Sequence, residues 1–191
     1  RIYQNGKLAG TTTDTSYTIS STGYAEYKVS AMDQGGYESF TSEPLIFGPD
    51  PILTEMELFA PISRKPYTDY TGKGFVETGL AVNPDILCEV HVEQAGNYYL
   101  DIRYSNGSGY WNTDNKCAIR SLSVNDRYLG ALVFPQRGLD EWSDWGYSNS
   151  HKVHLEKGIN KIRIHFEDWN NNMNVEVNTA MLDHLRLYRL D

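Results

Sequence analysis

The fold turns on the stretch Arg103–Asp126, RYSNGSGYWNTDNKCAIRSLSVND. It reads as strand, long loop, strand. Asp101-Ile102-Arg103-Tyr104 alternates polar and apolar side chains, the period-two signature of a half-buried strand. Ser105 to Lys116 is turn chemistry throughout, with Asn106-Gly107 and Ser108-Gly109 as breakers. Ala118 to Val124 resumes strand character, and Asn125-Asp126 turns again. A connection of about a dozen residues is long for a hairpin, and such loops are usually functional or disordered. Tyr110 and Trp111 stand side by side in it, among Asn and Asp residues.

The same grammar extends outward in both directions. Downstream, Leu129 to Phe134 reads as a strand. Val153-His154-Leu155 leads to a turn at Lys157-Gly158, Asn160 to Phe166 alternates, and Leu182 to Tyr188 closes the chain. Upstream, Gly96 turns into Tyr98–Tyr104, Ile86–Val92 is a strand, and Gly72 to Gly79 is a glycine-punctuated turn and strand around Phe75-Val76. Glu55-Met56-Glu57-Leu58 reads as a strand, which would set its two carboxylates on one face. Apart from a short helical turn near Leu139, no helical period appears. Many short strands at this spacing predict an all-β chain, a sandwich or barrel. Gly48-Pro49-Asp50-Pro51 is a stiff linker and the expected boundary between residues 1–47 and a complete unit at 52–191.

Bulk properties narrow the function classes. The 191 residues suit one domain or one and a half, and a hydrophobic content of 40% allows a real core. Fourteen tyrosines favour a β protein or a wet binding surface over a helical bundle. A net charge of −8 and a pI near 5.1 argue against nucleic acid as a partner, which needs a basic face. No apolar run approaches the roughly 18 residues of a membrane span. The start at Arg1, without Met or signal peptide, leads us to expect a piece of a longer protein. Cys88 and Cys117 fit two free thiols or a reactive or bonded pair, and no His stands at zinc-ligand spacing. The five histidines read as strand or surface residues.

Within residues 1–47, "YQNGKL", "TSYTIS", "AEYKVSAMDQGGYES" and "SEPL" resemble the C-terminal half of a fibronectin type III module. A whole module takes about 100 residues in two sheets. This segment would therefore be a truncated module or an appendage. Residues 52–191 resemble a carbohydrate-binding module of the family 6 / family 35 type more strongly. The motifs that carry the likeness are "TEMELF", "GKGFVETG", "VEQAGNYYLDIRYSNG", "LSVND", "VFPQRG", "WSDW", "VHLEKGINKIRIHF" and "MLDHLRLY". The resemblance implies a β-sandwich jelly roll appended to a secreted, periplasmic or cell-surface bacterial glycoside hydrolase. Such a module is non-catalytic, and it holds an upstream catalytic domain of the same chain on an oligosaccharide or polysaccharide.

The resemblance also implies two sites. Glu55, Glu57 and Asp183 would bind a structural Ca²⁺, a hard cation that takes six to eight oxygen ligands, with backbone carbonyls near Thr78 completing the shell. Without a cation, three converging carboxylates would repel and raise one another's pKa. The sugar cleft would use Tyr110 and Trp111 in the long loop, and Trp169 with Asn170, Asn171, Asn172 and Asn174 in the last one. A flat aromatic stacks on a pyranose face, and an Asn beside it bonds hydroxyls through its oxygen and its NH₂. Asp114, Asn115 and Arg120 are further polar candidates, although loop-internal hydrogen bonds or a salt bridge would explain them as well. Trp169 is open between a stacking platform and a packed corner. Asp140-Glu141-Trp142-Ser143-Asp144-Trp145 invites a glycosidase reading, but its acids suit solvated turn positions and its tryptophans suit the core. Two other readings stand beside the binding module: a spacer without ligand, and a glycan-active enzyme with Asp114 and Asp168 as its carboxyl pair. Asn106-Gly107-Ser108 is formally a glycosylation sequon.

Overall fold

The computed structural model describes residues 1–20, 23–48, 50–108, 117–170 and 178–190. They form two compact units, Arg1–Pro51 with Tyr188–Leu190, and Ile52–Leu187. Among the described residues no helix is long and apolar enough to cross a membrane.

The first unit holds β1 (Ile2–Gln4), β2 (Lys7–Gly10), β3 (Ala25–Val29) and β4 (Leu45–Phe47). They make a single antiparallel sheet in the order β2-β1-β3-β4. Asn5-Gly6, both with positive φ, closes the tight β1–β2 turn. The alternation at Ser16–Ile19 suggests a strand, but these residues join no ladder.

The second unit carries β5 (Ile52–Glu55), β6 (Val76–Thr78), β7 (Asp85–Val92), β8 (Gly96–Ser105), β9 (Cys117–Val124), β10 (Arg127–Pro135), β11 (Gly146–Tyr147), β12 (His151–Leu155), β13 (Gly158–His165) and β14 (Ala180–Arg189). One sheet runs β10-β9-β13-β7. The other runs β11-β8-β14-β5, with β12 on β8 and β6 on β14. This is the all-β sandwich that the spacing of short strands predicts. The alternation of β7, with Ile86, Cys88, Val90 and Val92 buried and their neighbours exposed, is what a strand with one dry face requires. Those side chains join Leu100, Ile102, Leu122, Ile162, Ile164, Leu182 and Leu185 in one core. Each such aliphatic side chain contributes about 1.5–3 kcal/mol on burial. Asn125 and Asp126, with φ of 48° and 64°, form the two-residue turn from β9 to β10.

Two local expectations are corrected. Met56–Leu58 is a 3-10 turn after β5 and not a strand, so Glu57 leaves the ladder that holds Glu55. The helical turn is not at Leu139, which lies in a plain turn; the second 3-10 segment is Asp168–Asn170. The Cys88 thiol is buried and the Cys117 thiol half-buried. Burial pushes the Cys88 thiol up to about 12.

Candidate carbohydrate and cation sites

The acidic centre is built by β-sheet register. Antiparallel pairing sets Glu55 of β5 opposite His184 of β14, next to Asp183. Asp183 is fully buried and His184 nearly so. Glu55, Asp183 and His184 place ligand atoms within 4.8 Å of one another. The loop before β6 supplies the rest. Thr71 Oγ1 lies 3.0 Å from Glu55 Oε2, 3.2 Å from Asp183 Oδ1 and 2.9 Å from His184 Nδ1. The Thr71 N–H donates to Asp183 Oδ1 at 2.9 Å, and the Lys73 N–H donates to Glu57 Oε1 at 2.7 Å. Arg103 forms an ion pair with Asp183 and donates to the Asp69 carbonyl at 3.1 Å.

Gly72 explains why a glycine stands in this loop. Its φ is +65°, and a Cβ there would lie 2.4 Å from Glu57 Oε1 and 3.0 Å from Glu55 Oε2. Backbone and the two glutamates are thus in direct contact, although Glu57 has left the strand. The other Glu57 oxygen, Oε2, is buried without a hydrogen-bond partner. Burial, together with Asp183 and Glu57, outweighs the Thr71 hydroxyl and lifts the Glu55 pKa. Burial acts the same way on Asp183, but His184, Arg103 and the Thr71 N–H outweigh it and hold that carboxyl below its ordinary range. An orphaned buried carboxylate oxygen among three acids fits a hard cation. The Thr78 hydroxyl accepts from Arg120 and donates to the Asn83 carbonyl. His184 was not legible as a member, because nothing in a strand sequence marks which histidine faces an acid on a neighbouring strand.

The Trp142–Trp145 segment acts on the same loop. Trp142 stacks on Tyr67 at 5.6 Å and 9°, Tyr67 on Phe75 at 5.8 Å, and Phe75 meets Trp145 edge-on at 5.5 Å. The Trp145 indole N–H donates to the Thr68 carbonyl at 2.6 Å. Arg103 lies over the Trp145 ring. Trp142 and Trp145 are half-buried and lie outside the main core, where they clasp the loop that carries Thr71 and Gly72.

The sugar candidates separate sharply. Tyr110, Trp111, Asp114, Asn115, Asn171, Asn172 and Asn174 lie outside the described residues. Trp169 is 67% exposed, in the 3-10 turn after β13, with its indole N–H donating to Ser121 Oγ at 3.2 Å. Of its two readings, the packed corner is thereby removed. Asn170 and Arg120 are corrected, since both are buried and occupied by the protein itself. Asn170 Oδ1 accepts from the Glu167 N–H at 2.8 Å and the Ser121 N–H at 3.2 Å. Arg120 donates to Thr78 Oγ1, to the Ile119 carbonyl, and to the side chain and carbonyl of Asn178. Burial pushes its pKa down to about 10, which leaves it charged at neutral pH.

Asn178 is the residue that sequence reasoning missed. It is fully buried. Its Oδ1 accepts from the Ile119 N–H at 2.9 Å and from Arg120 at 2.7 Å, and its Nδ2 donates to the Asn170 carbonyl at 3.1 Å. The start of β9 and the chain on both sides of residues 171–177 therefore meet at one place. Trp169 adjoins that junction through Asn170, its neighbour in the 3-10 turn.

The first leg of the long connection is not a surface turn. Asn106 is fully buried, its Nδ2 donating to the Phe134 carbonyl at 2.8 Å. Its carbonyl accepts from the Arg137 N–H, and the Gly107 carbonyl accepts from the Asp140 N–H. The sequon is sealed by its own fold. Asp168 is exposed in the 3-10 turn, and its proposed carboxyl partner Asp114 lies outside the described residues.

Comparison with known proteins agrees with this architecture. No protein-family model matches the chain. A cycloisomaltooligosaccharide glucanotransferase of Niallia circulans is 28% identical over 104 residues, covering 54% of this chain and 10% of that enzyme. The chain spans about a tenth of the length of the curated relatives it matches. Among solved structures, a Paenibacillus sp. cycloisomaltooligosaccharide glucanotransferase complexed with cycloisomaltoheptaose superposes with a TM-score of 0.57 at 25% identity. The match covers 73% of this chain and 18% of that one. A family 35 carbohydrate-binding module from an environmental isolate gives 0.55 at 23% identity, covering 72% and 92%. The larger unit has the jelly-roll fold of family 35 carbohydrate-binding modules, and the related enzymes match only over a fraction of their length.

Proposed function

We propose that the larger unit, sharing its fold with family 35 carbohydrate-binding modules, is a non-catalytic module that binds glucan chains. Its parent would be a secreted or surface-held glucan-active enzyme. The observation that carries this reading is Trp169, an exposed indole beside the junction where Asn178 joins β9 to Asn170. The names of the related enzymes point to isomalto-oligosaccharides, α-1,6-linked glucose chains, as the first ligands to test. One or two stacked rings with a few hydrogen bonds supply about 4–8 kcal/mol, a millimolar to micromolar Kd. That is adequate for a module that only raises the local concentration of its enzyme on a polymer.

A structural Ca²⁺ belongs to this reading. Glu55, Glu57 and Asp183 would hold it, with the backbone at Thr71 and Gly72 beside them. Calcium would neutralise the mutual repulsion of these carboxylates and tie β5 and its neighbour β14 to a loop. The smaller unit is proposed as the C-terminal part of a fibronectin type III-like module, since its one sheet, β2-β1-β3-β4, leaves Val29, Leu45 and Phe47 exposed.

The test is affinity electrophoresis and calorimetry of the whole chain with isomalto-oligosaccharides in calcium, wild type beside Trp169→Ala. Binding that falls at least about tenfold in the variant, or about 1.4 kcal/mol, supports the reading. Wild-type binding that survives the change moves the platform to Trp111. Absence of binding to any glucan rejects the reading in favour of a spacer.

A further inference from the structure

The exposed face of Trp169 has a buried support that the proposed binding role leaves unexplained. Its indole N–H donates to Ser121 Oγ at 3.2 Å, and Ser121 is fully buried on β9. Ser121 Oγ in turn lies 2.9 Å from Glu167 Oε2 and 3.2 Å from Asn170 Oδ1. The other carboxylate oxygen, Glu167 Oε1, is 3.1 Å from His165 Nε2. Cross-strand pairing of His165 with Ser121 sets this spacing. The turn itself is locked by reciprocal bonds, the Glu167 N–H to Asn170 Oδ1 and the Asn170 N–H to the Glu167 carbonyl, both at 2.8 Å.

A serine hydroxyl has one proton and two lone pairs. The charged carboxylate of Glu167 is the stronger acceptor for that proton. Once the proton points at Glu167, a lone pair faces the indole N–H. Glu167 thus sets the direction in which Ser121 holds the ring. A ring fixed before the ligand arrives loses less rotamer freedom on stacking than one that swings free. We propose that Ser121 and Glu167 are positioning residues for carbohydrate stacking, acting through a Glu167–Ser121–Trp169 hydrogen-bond chain beside which His165 stands. This rests on Trp169 being the sugar platform.

The test uses the whole chain labelled with 5-fluorotryptophan, with Trp169→Phe assigning one of the four tryptophan signals. Ser121→Ala and Glu167→Gln are compared with wild type by ¹⁹F NMR and by titration with isomaltoheptaose. The Trp169 signal should shift or broaden in both variants while the other three stay. The Kd should rise about three- to tenfold, the worth of one neutral hydrogen bond. If Ser121→Ala does not fold, the partly exposed Glu167 carries the comparison. An unmoved Trp169 signal and an unchanged Kd, with binding still lost in Trp169→Ala, overturns the positioning role and leaves the sugar reading intact. Wild-type chain that ignores isomaltoheptaose and other glucans refutes the sugar reading, and the proposal with it, even if the signal moves.

Discussion

At the scale of single residues, the chemistry of this chain is decided by buried polar groups. Asn178 uses both ends of its amide to join β9 to the last loop. Asn178→Ala strands the Ile119 N–H and takes an acceptor from Arg120, so it should cost about 2–4 kcal/mol in urea unfolding. Asp183 is a case for pH. Its folded pKa lies below the ordinary carboxylate range, so its stabilisation is present above the unfolded value of about 3.9 and is lost as pH falls below that. Asp183→Asn should therefore flatten the acid limb of the stability curve. Near neutral pH it should cost about 3 kcal/mol, because Arg103 loses its partner. Cys88 gives a direct chemical check. A buried thiol pushed up to about 12 stays protonated at pH 8. It should resist a thiol reagent in the native protein and react once the chain is unfolded.

At the scale of elements, the aromatic clasp matters more than its sequence suggests. Tyr67, Phe75, Trp142 and Trp145 hold the loop that brings Thr71 and Gly72 to the acids. Trp142→Ala should cost about 3 kcal/mol through lost packing. Under the calcium proposal it should also weaken calcium binding measured by calorimetry, although Trp142 would be no ligand. A change in stability with calcium affinity untouched would separate the clasp from the acidic centre. The strand pattern of Glu55–Leu58 misleads for a related reason. Two acids at period two fit a strand, but the chain tightens into a 3-10 turn after Glu55, and the loop at Gly72 reaches Glu57 instead.

At the scale of the molecule, the acidic centre joins β5, β14 and the loop before β6, segments far apart in the chain. A cation held there would bind the folded state and not the unfolded one. At a calcium concentration of 100 times its Kd it would add about 2.7 kcal/mol. For a chain of this size that is a rise of about 5–10 °C in Tm. Differential scanning calorimetry with calcium and with chelator should show this gap, and Glu57→Gln should close most of it. Identical melting in both conditions would remove calcium from the account of this centre.

The sequence by itself determined the all-β class and most strand positions, and its motifs carried the resemblance to a family 35-type jelly roll; Trp169 it left open between a platform and a packed corner. The class and the strand positions follow from local signals, period-two alternation and turn dipeptides. Only the tertiary structure decided that Arg120 and Asn170 serve the fold and not the ligand, that Asn106 is sealed, and that His184 stands with the acids. The reason is physical. A polar side chain looks the same in sequence whether its partner is water, sugar or a backbone group about 60 residues away. Burial and register choose among these, and both are properties of the assembled sheets.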